Sequence, residues 1–379
     1  MPTNNPNDFR QELYGRLYRA YLEARKGKRK THDEHRFELN DIENLENLCN
    51  SIINRTYKPS RGIAFLISRP VRREIFAAPF RDRVVHHLLY DISNEWWDRR
   101  LIDASFSCRN NKGTLCGIKT LEKHLRRATN NYTNEAFIAK LDLRGYFMSL
   151  DRQRLFDIVK KGLGQQFHHN TKNPLYRTVL FLWKQVIFDD PTDGVIIRGN
   201  PRGWDKFPRS KSLFCQPKGK GIVIGNLTSQ LMSNIFLNQL DRYITMKLGY
   251  KYYGRYVDDF YIIVPIEKKD QLLRDIKLIE KFLKTLGLTL HPNKRYFQSS
   301  KRGVEFLGAV IYEGYIVPGR RIKRNTREAF REVAEGHRDL ESVVSYLGHL
   351  KHINSDKFLK TAFDERGWDY QSSKCPSKN

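Results

Sequence analysis

The sequence predicts an α+β fold in which an antiparallel β-sheet is backed by helices. Three observations support this class. Strongly β-forming runs occur in pairs joined by short turns, most clearly on either side of Asp258-Asp259. Helical periodicity fills the chain between these pairs and dominates both ends. The 379 residues, 40% of them hydrophobic, suffice for two or three packed substructures.

The expected elements can be followed along the chain. Residues 1–58 are predicted to be helical, because apolar side chains recur at helical spacing. After Pro318 the pattern is helical again, with Asn325 or Thr326 as the expected N-cap. The elements expected between these ends are a hairpin at 63–79, helices at 81–97 and 118–128, a strand at 137–143, a helix from Asp151, a helix at 227–248, a strand–turn–strand at 251–265, a helix at 267–286 and a hairpin around Glu313-Gly314.

Charge predicts the kind of partner. The chain has 68 lysines and arginines against 42 acidic residues, a formal net charge of +26. Such an excess repels itself in the folded state and is usually offset by a polyanion, with nucleic acid expected first and an anionic membrane surface second. The membrane is disfavoured, because no apolar run approaches a spanning length and the N-terminus lacks the order of a signal peptide.

The cysteines indicate a reducing compartment, and hence a cytoplasmic protein. They are odd in number and are never spaced as CxxC, so neither a disulfide framework nor a zinc ribbon is expected. They are Cys49, Cys108, Cys116, Cys215 and Cys375.

Residues 189–220 are rich in glycine, proline and basic side chains. This stretch is long for a connection inside a compact domain. We therefore expect a functional loop or hairpin there.

Three aspartates are candidates for catalysis. Asp258-Asp259 lies between two β-forming runs, where adjacent aspartates could simply form a turn. Asp142 lies near the end of an apolar strand, where a carboxylate without a partner is costly to desolvate. Two Mg²⁺ ions, for which Mn²⁺ could substitute, would offset that cost and support phosphoryl transfer to a 3′-hydroxyl. Since neighbouring strand residues face opposite ways, we expect Asp258 and Asp259 to differ, with Asp258 as the bridging ligand.

Eight short motifs follow one another along the chain. They are REIFAAPFRDRVVHHLL (73–89), SFSCRNNKGT (105–114), AKLDLRGYF (139–147), GNLTSQLMSNIFLNQLD (225–241), RYVDDF (255–260), GLTLHPNKRYF (287–297), VEFLGAVI (304–311) and SYLGHLKH (345–352). In this order the sequence resembles reverse transcriptases of the retron and group II intron type, from about Tyr21 to Phe358.

The resemblance implies a right-hand polymerase fold with three parts. Residues 1–58 would be an N-terminal helical extension. Residues 59–317 would form the fingers and an antiparallel-sheet palm backed by helices, with 189–220 as an inserted loop. Residues 318–379 would form a helical thumb.

The resemblance also implies roles around the carboxylates. Asp142, Asp258 and Asp259 match the catalytic, metal-binding triad, and Leu143 is expected beside them among the metal-binding residues. Lys294 resembles the lysine proposed to protonate the departing pyrophosphate, a role that requires a lowered pKa.

Further residues are expected to contact the nucleotide or primer. Arg73 matches the arginine that clamps the incoming triphosphate, a contact suited to a guanidinium fork. Phe147 occupies the position of the steric gate, where a large ring would collide with a ribose 2′-hydroxyl and so favour deoxynucleotides. Alternatively, Arg73 is a surface arginine and Phe147 a core aromatic. Gly308 matches the glycine of the primer-grip hairpin.

The segment IGNLTSQ, residues 224–230, indicates a particular group within the reverse transcriptases. It resembles the reverse transcriptases of diversity-generating retroelements, in which an aliphatic residue replaces the usual glutamine near the nascent base pair. Ile224, Gly225 and Gln230 are therefore further candidate nucleotide-binding residues. An isoleucine side chain cannot hydrogen-bond the nucleotide, so weaker discrimination between bases is expected. The group is characterised by error-prone copying at template adenines.

The resemblance implies partners as well. They are a template-repeat RNA, the primer or cDNA, dNTPs and an oligomer of a small basic accessory variability protein. Two alternatives stay open: a retron-type or phage-defence reverse transcriptase, and a non-catalytic RNA-binding protein with a polymerase fold. A pair of near-identical repeats beside the gene that differ only opposite adenines would favour the retroelement.

Overall fold

The computed structural model describes most of the chain. Cys375 and parts of the two predicted helical ends lie outside the described residues. The other four cysteines are free. No helix in the described part is both long and apolar enough to cross a membrane. The described residues are 6–26, 31–68, 71–337 and 340–365.

Helices are distributed along the whole of the described chain, from Pro6 to Asp364. They are α1 (Pro6–Ala24), α2 (His32–Glu38), α3 (Asp41–Ile53), α4 (Phe80–Asp98), α5 (Thr114–Ala128), α6 (Tyr146–Ser149), α7 (Arg152–Gln166), α8 (Pro174–Phe188), α9 (Leu227–Arg242), α10 (Lys269–Thr285), α11 (Arg320–Ala334), α12 (Leu340–Leu350) and α13 (Asp356–Asp364).

The strands form three small sheets, with the orders β2-β1-β4, β5-β6-β3-β7 and β10-β9-β8. The strands are β1 (Ile63–Ile67), β2 (Arg73–Ala77), β3 (Ala136–Leu143), β4 (Ile196–Ile197), β5 (Tyr252–Tyr256), β6 (Asp259–Pro265), β7 (Leu290–Ser299), β8 (Val304–Phe306), β9 (Ala309–Tyr312) and β10 (Tyr315–Pro318).

The first of two compact units is mainly helical. Helix α4 packs against α1 and α9, and its buried face includes Val84, Val85 and Leu88. The antiparallel hairpin β1–β2 gains β4 as a third strand, parallel to β1. The unit consists of the described residues within 1–102, 143–242 and 280–291.

The second unit is built on the sheet β5-β6-β3-β7, in which β6 is antiparallel to both β3 and β5. Helix α5 covers one face, because its Leu121 and Leu125 are apolar at helical spacing and pack in one core with Ile138, Tyr261 and Ile263. The unit consists of the described residues within 103–142, 243–279 and 292–379.

The same unit contains the sheet β10-β9-β8, which is antiparallel throughout, and the helices α11–α13. These helices share an apolar core around Phe330, Leu350 and Phe363. The mixed class predicted from the sequence, with an antiparallel sheet backed by helices, is confirmed.

Two local expectations differ from the structure. Helix α11 begins directly at Arg320 with Gly319 as its N-cap, so the N-cap predicted at Asn325 or Thr326 is wrong, and Thr326 is buried inside the helix. The run of long basic residues that opens α11 forms helix readily, which explains the earlier start. Helix α8 was not predicted. It starts at Pro174, where the side chain of Asn173 accepts hydrogen bonds from two helical N–H groups.

Candidate active site

The hairpin β5–β6 carries two of the candidate aspartates. Tyr256 pairs with Asp259, so the connecting turn contains only Val257 and Asp258. Val257 has a φ of 56°, in the left-handed region that a β-branched side chain rarely adopts. Such a conformation costs about 1–3 kcal/mol and persists only where its surroundings hold it.

Arg255, whose residue is 0% exposed, supports this turn. Its guanidinium donates to the carbonyl oxygen of Val257 at 3.0 Å and to Ser105 Oγ at 3.1 Å. Its main chain is bonded on both sides to the segment before α5, with Arg255 N donating to Ala104 O and Phe106 N donating to Arg255 O, each at 2.9 Å. A buried arginine thus joins the aspartate turn to a fixed neighbouring segment.

Asp142 lies directly opposite Asp259 in the pairing of β3 with β6. Cross-strand partners point to the same face of a sheet, and so does Lys140, two residues before Asp142. Lys140 Nζ is 3.3 Å from Asp259 Oδ2, and Lys294 Nζ is 3.0 Å from Asp142 Oδ2. Two carboxylates and two ammonium groups therefore alternate on one sheet face, with Asp258 in the adjoining turn.

The electrostatics of Asp259 follow from this crowding. Burial raises the pKa of Asp259 to about 6; the neighbouring Lys140 opposes the rise, whereas the charges of Asp142 and Asp258 add to it. The pairing of Asp142 with Asp259 brings together residues that are far apart in the sequence. The convergence that the sequence predicted for Asp142 and the Asp258-Asp259 turn is therefore present in the structure.

The donor set fits Mg²⁺. In the described part of the chain no group of three or more His, Cys, Asp and Glu side chains forms a preassembled metal site. Mg²⁺ usually takes only one or two protein carboxylates and completes its shell with water and substrate phosphates. Asp259 Oδ1 is buried and has no hydrogen-bond partner among the described residues, which leaves an oxygen lone pair for a cation.

Leu143 and Gly308, predicted to contact the metal and the primer, are positions where the backbone rather than the side chain matters. Leu143 ends β3, and its side chain is buried, so only its carbonyl oxygen could be a ligand. Gly308 has a φ of 85° in the two-residue turn between β8 and β9, and a Cβ there would lie 2.7 Å from Ile322. The turn and the close helix both require glycine.

The nucleotide-contact candidates Phe147 and Ile224 lie together in the first unit. Ile222 N donates to Phe147 O at 3.0 Å, and Phe76 N donates to Ile224 O at 3.1 Å. Both side chains are half-buried against one apolar cluster that includes Phe76 and Leu213. Main-chain hydrogen bonds thus fix both positions, Ile224 to strand β2 and Phe147 to the segment that contains Ile222.

The remaining candidates of this unit are exposed. Arg73 opens β2 with its side chain in solvent, and Gln230 is exposed on the first turn of α9. Gly225 has a φ of 135°, and a Cβ there would lie 2.7 Å from Phe76 O, so this close backbone approach requires glycine.

Sequence reasoning missed three residues that shape these sites: Lys140, Arg255 and Glu74. Lys140 could have been found, since strand alternation places it on the face of Asp142. Arg255 contacts Ser105, and Glu74 accepts a hydrogen bond from Ser212. Both roles therefore depend on partners from distant segments, which local patterns do not contain.

Comparison with known proteins gives one family. The sequence model of the protein family described as reverse transcriptase (RNA-dependent DNA polymerase) matches residues 73–311, which is more than half of the chain. A comparison with curated proteins gives no match.

Solved structures with a similar course of the chain include telomerases. Telomerase of Candida albicans in complex with a TWJ fragment of telomeric RNA has 14% identity and a TM-score of 0.49, with 82% of this chain and 57% of that chain covered. Telomerase of Candida tropicalis in complex with the same kind of RNA fragment has 13% identity and a TM-score of 0.47, with 84% of this chain and 55% of that chain covered. Apo telomerase of Candida tropicalis has 12% identity and a TM-score of 0.48, with 85% of this chain and 60% of that chain covered. The chain thus spans little more than half the length of these telomerase chains.

Proposed function

Because the chain belongs to the reverse transcriptase (RNA-dependent DNA polymerase) family, we propose that it is the RNA-directed DNA polymerase of a diversity-generating retroelement. The same membership gives it the right-hand polymerase fold predicted from the sequence. The observation that carries the catalytic part of the proposal is the pairing of Asp142 with Asp259 beside the Asp258 turn.

In this proposal Asp142, Asp258 and Asp259 hold the divalent ions through their carboxylate oxygens. Mg²⁺ ions held there would supply Lewis-acid activation of the primer 3′-hydroxyl and charge stabilisation of the leaving pyrophosphate. The bridging role of Asp258 stays a prediction, and the strand register favours Asp259 as the closer partner of Asp142. Lys294, in contact with Asp142, is the candidate proton donor to pyrophosphate.

Selection of the nucleotide is assigned to the first unit. Arg73 would contact the triphosphate through its guanidinium fork, and Phe147 would exclude a ribose 2′-hydroxyl. Ile224 would lie where an amide could otherwise bind the nucleotide, and its main chain is fixed to Phe76 by a hydrogen bond of 3.1 Å. A fixed backbone with an apolar side chain supports low fidelity at this position.

The expected partners follow from the proposal that the enzyme belongs to a diversity-generating retroelement. They are a template-repeat RNA, the primer or cDNA, dNTPs and an oligomer of a small basic accessory variability protein. The net charge of +26 supports the nucleic-acid partners.

Primer extension tests the activity. With an RNA template, a DNA primer, dNTPs and Mg²⁺, we expect DNA synthesis by the parent and none by Asp258→Ala. The exposed acid Asp91 on α4, which lies outside both the candidate site and residues 189–220, gives the matched control Asp91→Ala. If Asp258→Ala extends as well as the parent, the catalytic assignment is wrong. If neither extends, the result supports the alternative of a non-catalytic RNA-binding protein with a polymerase fold.

Error rates test the subtype. The parent should misincorporate preferentially opposite template adenines, and Ile224→Gln should lower that rate because an amide can restore a polar constraint. Ile224→Leu is the control that keeps an aliphatic side chain. Uniform, low error rates in the parent would instead favour a retron-type or phage-defence enzyme.

A further inference from the structure

The inserted segment (residues 189–220) has an unusual charge distribution. From Arg198 to Lys220 it carries seven lysines and arginines and one acid, Asp205. Six of the cations are exposed, and none of the six forms an ion pair within the part of the chain that the structure describes. These six are Arg198, Arg202, Lys206, Arg209, Lys211 and Lys218.

The inserted segment is nevertheless firmly attached to the hairpin β1–β2. Glu74, 1% exposed, accepts hydrogen bonds from Trp204 Nε1 at 2.7 Å, from Ser212 Oγ at 2.7 Å and from Leu213 N at 2.6 Å. Arg72 donates to the carbonyl oxygen of Gly203 at 2.6 Å. A solvated linker does not need a buried carboxylate with three donors, so the cations are presented on a fixed surface.

The inserted segment also presents an aromatic ring. Phe214 is 40% exposed, and its ring lies 5.5 Å from that of Phe76 and 6.2 Å from that of Trp204. Unpaired cations around an exposed, supported ring are the features that bind single-stranded nucleic acid, through phosphates and base stacking respectively. A basic accessory protein would be repelled by this surface.

We propose that the inserted segment binds a single-stranded stretch of the template RNA, with its cations on phosphates and Phe214 stacked on a base. This rests on the proposed function, since it takes the RNA that the enzyme copies as the ligand. The surface lies outside the residues assigned to catalysis, so it adds affinity for RNA and leaves the chemical step unchanged.

The test uses the full chain and a fluorescent single-stranded RNA oligonucleotide, titrated from about 50 to 200 mM salt. The variant carries Arg198→Ser, Arg202→Ser, Lys206→Ser, Arg209→Ser and Lys211→Ser. We expect an affinity at least about tenfold weaker and a slope of log K against log salt smaller by about three, since each phosphate contact on a single strand contributes about 0.7.

A matched variant removes five exposed cations on and beside α10 and should bind as the parent does. Its changes are Lys268→Ser, Arg274→Ser, Lys277→Ser, Lys281→Ser and Lys284→Ser. Equal loss in both variants would show that only net charge matters and would overturn the proposal. Unchanged RNA affinity together with lost binding of polyglutamate would assign the surface to an acidic protein and would also overturn it.

Phe214 provides the second readout. Phe214→Leu keeps an apolar side chain over Phe76 but removes the stacking ring, and should weaken binding of single-stranded RNA by about fivefold or more, with Phe214→Tyr close to the parent. Equal affinities of all three proteins would contradict the stacking contact. Because binding is measured without dNTPs, an inactive parent would refute the polymerase assignment and leave this result interpretable.

Discussion

The carboxylate face of the second unit and the inserted segment of the first handle charge in opposite ways. On the carboxylate face, Asp142 and Asp259 are each paired with a lysine, and Asp259 is sufficiently desolvated that its pKa rises to about 6. On the inserted segment none of the six exposed cations forms an ion pair within the described residues, while the buried carboxylate of Glu74, on β2, accepts hydrogen bonds from the segment. Buried carboxylates that are paired with lysines suit a reaction at a single place. Exposed cations without ion-pair partners suit the binding of a long polyanion.

The largest effect should come from the carboxylate face. Asp259→Asn removes an anionic ligand and keeps the shape of the side chain, so primer extension should fall by about a thousandfold or more. RNA affinity measured without dNTPs should stay at the parental value. A matched change at an exposed position on α4, Asp91→Asn, should leave extension unaltered. Comparable activity in both variants would mean that the face is not catalytic.

Arg255 tests whether the strained turn needs its buried support. Arg255→Met leaves the Val257 carbonyl and the Ser105 hydroxyl without this donor, which should lower the free energy of unfolding by about 2–4 kcal/mol. Extension should also fall, because Asp258 lies in the same turn. Chemical denaturation measures the first effect and single-turnover extension the second.

A double-mutant cycle with Ser105→Ala separates the contact from a general loss of packing. If the two changes add with no coupling, the hydrogen bond between Arg255 and Ser105 is not what supports the turn.

The two regions also differ in how far the sequence could predict them. Asp142 and Asp258-Asp259 were predicted to meet because β-forming runs frame them and because they match the metal-binding triad of the family. The register that sets Asp142 opposite Asp259 comes from the structure. The left-handed φ of Val257 and the support from Arg255 could not be predicted in this way, since they depend on the segment around Ser105.

The inserted segment was predicted as a functional loop or hairpin from its length and composition alone. Its short strand β4 pairs in parallel with β1, and its attachment depends on Glu74, more than a hundred residues earlier in the chain. In the sequence Glu74 is one charged residue among its neighbours Arg72 and Arg73. Only the fold reveals that its side chain is buried among three donors.

Glu74 tests the attachment of the inserted segment. Glu74→Gln keeps the size of the side chain but replaces one acceptor oxygen with a donor, which should cost about 1–3 kcal/mol of unfolding free energy. RNA affinity should fall by less than in the five-cation variant, because the cations remain. Glu95→Gln, at an exposed position on α4, is the control for loss of a negative charge. A Glu74→Gln protein with parental stability would show that the segment is held by other contacts.

The smallest expected effect is a pH dependence of stability in the first unit. Burial raises the pKa of Asp189 to about 6, with the charge of Asp82 adding to the rise and Arg152 opposing it. Because the folded pKa lies above the unfolded value, ionisation of Asp189 disfavours the folded state: its penalty is full above pH 6 and is relieved as the pH falls from about 6 towards about 4. Asp189→Asn should therefore raise Tm at pH 7 relative to the parent, and the difference should shrink by pH 4. Thermal unfolding of both proteins across this range, with the exposed Asp205→Asn as control, measures it; a constant difference in Tm at all pH values would show that Asp189 does not titrate there.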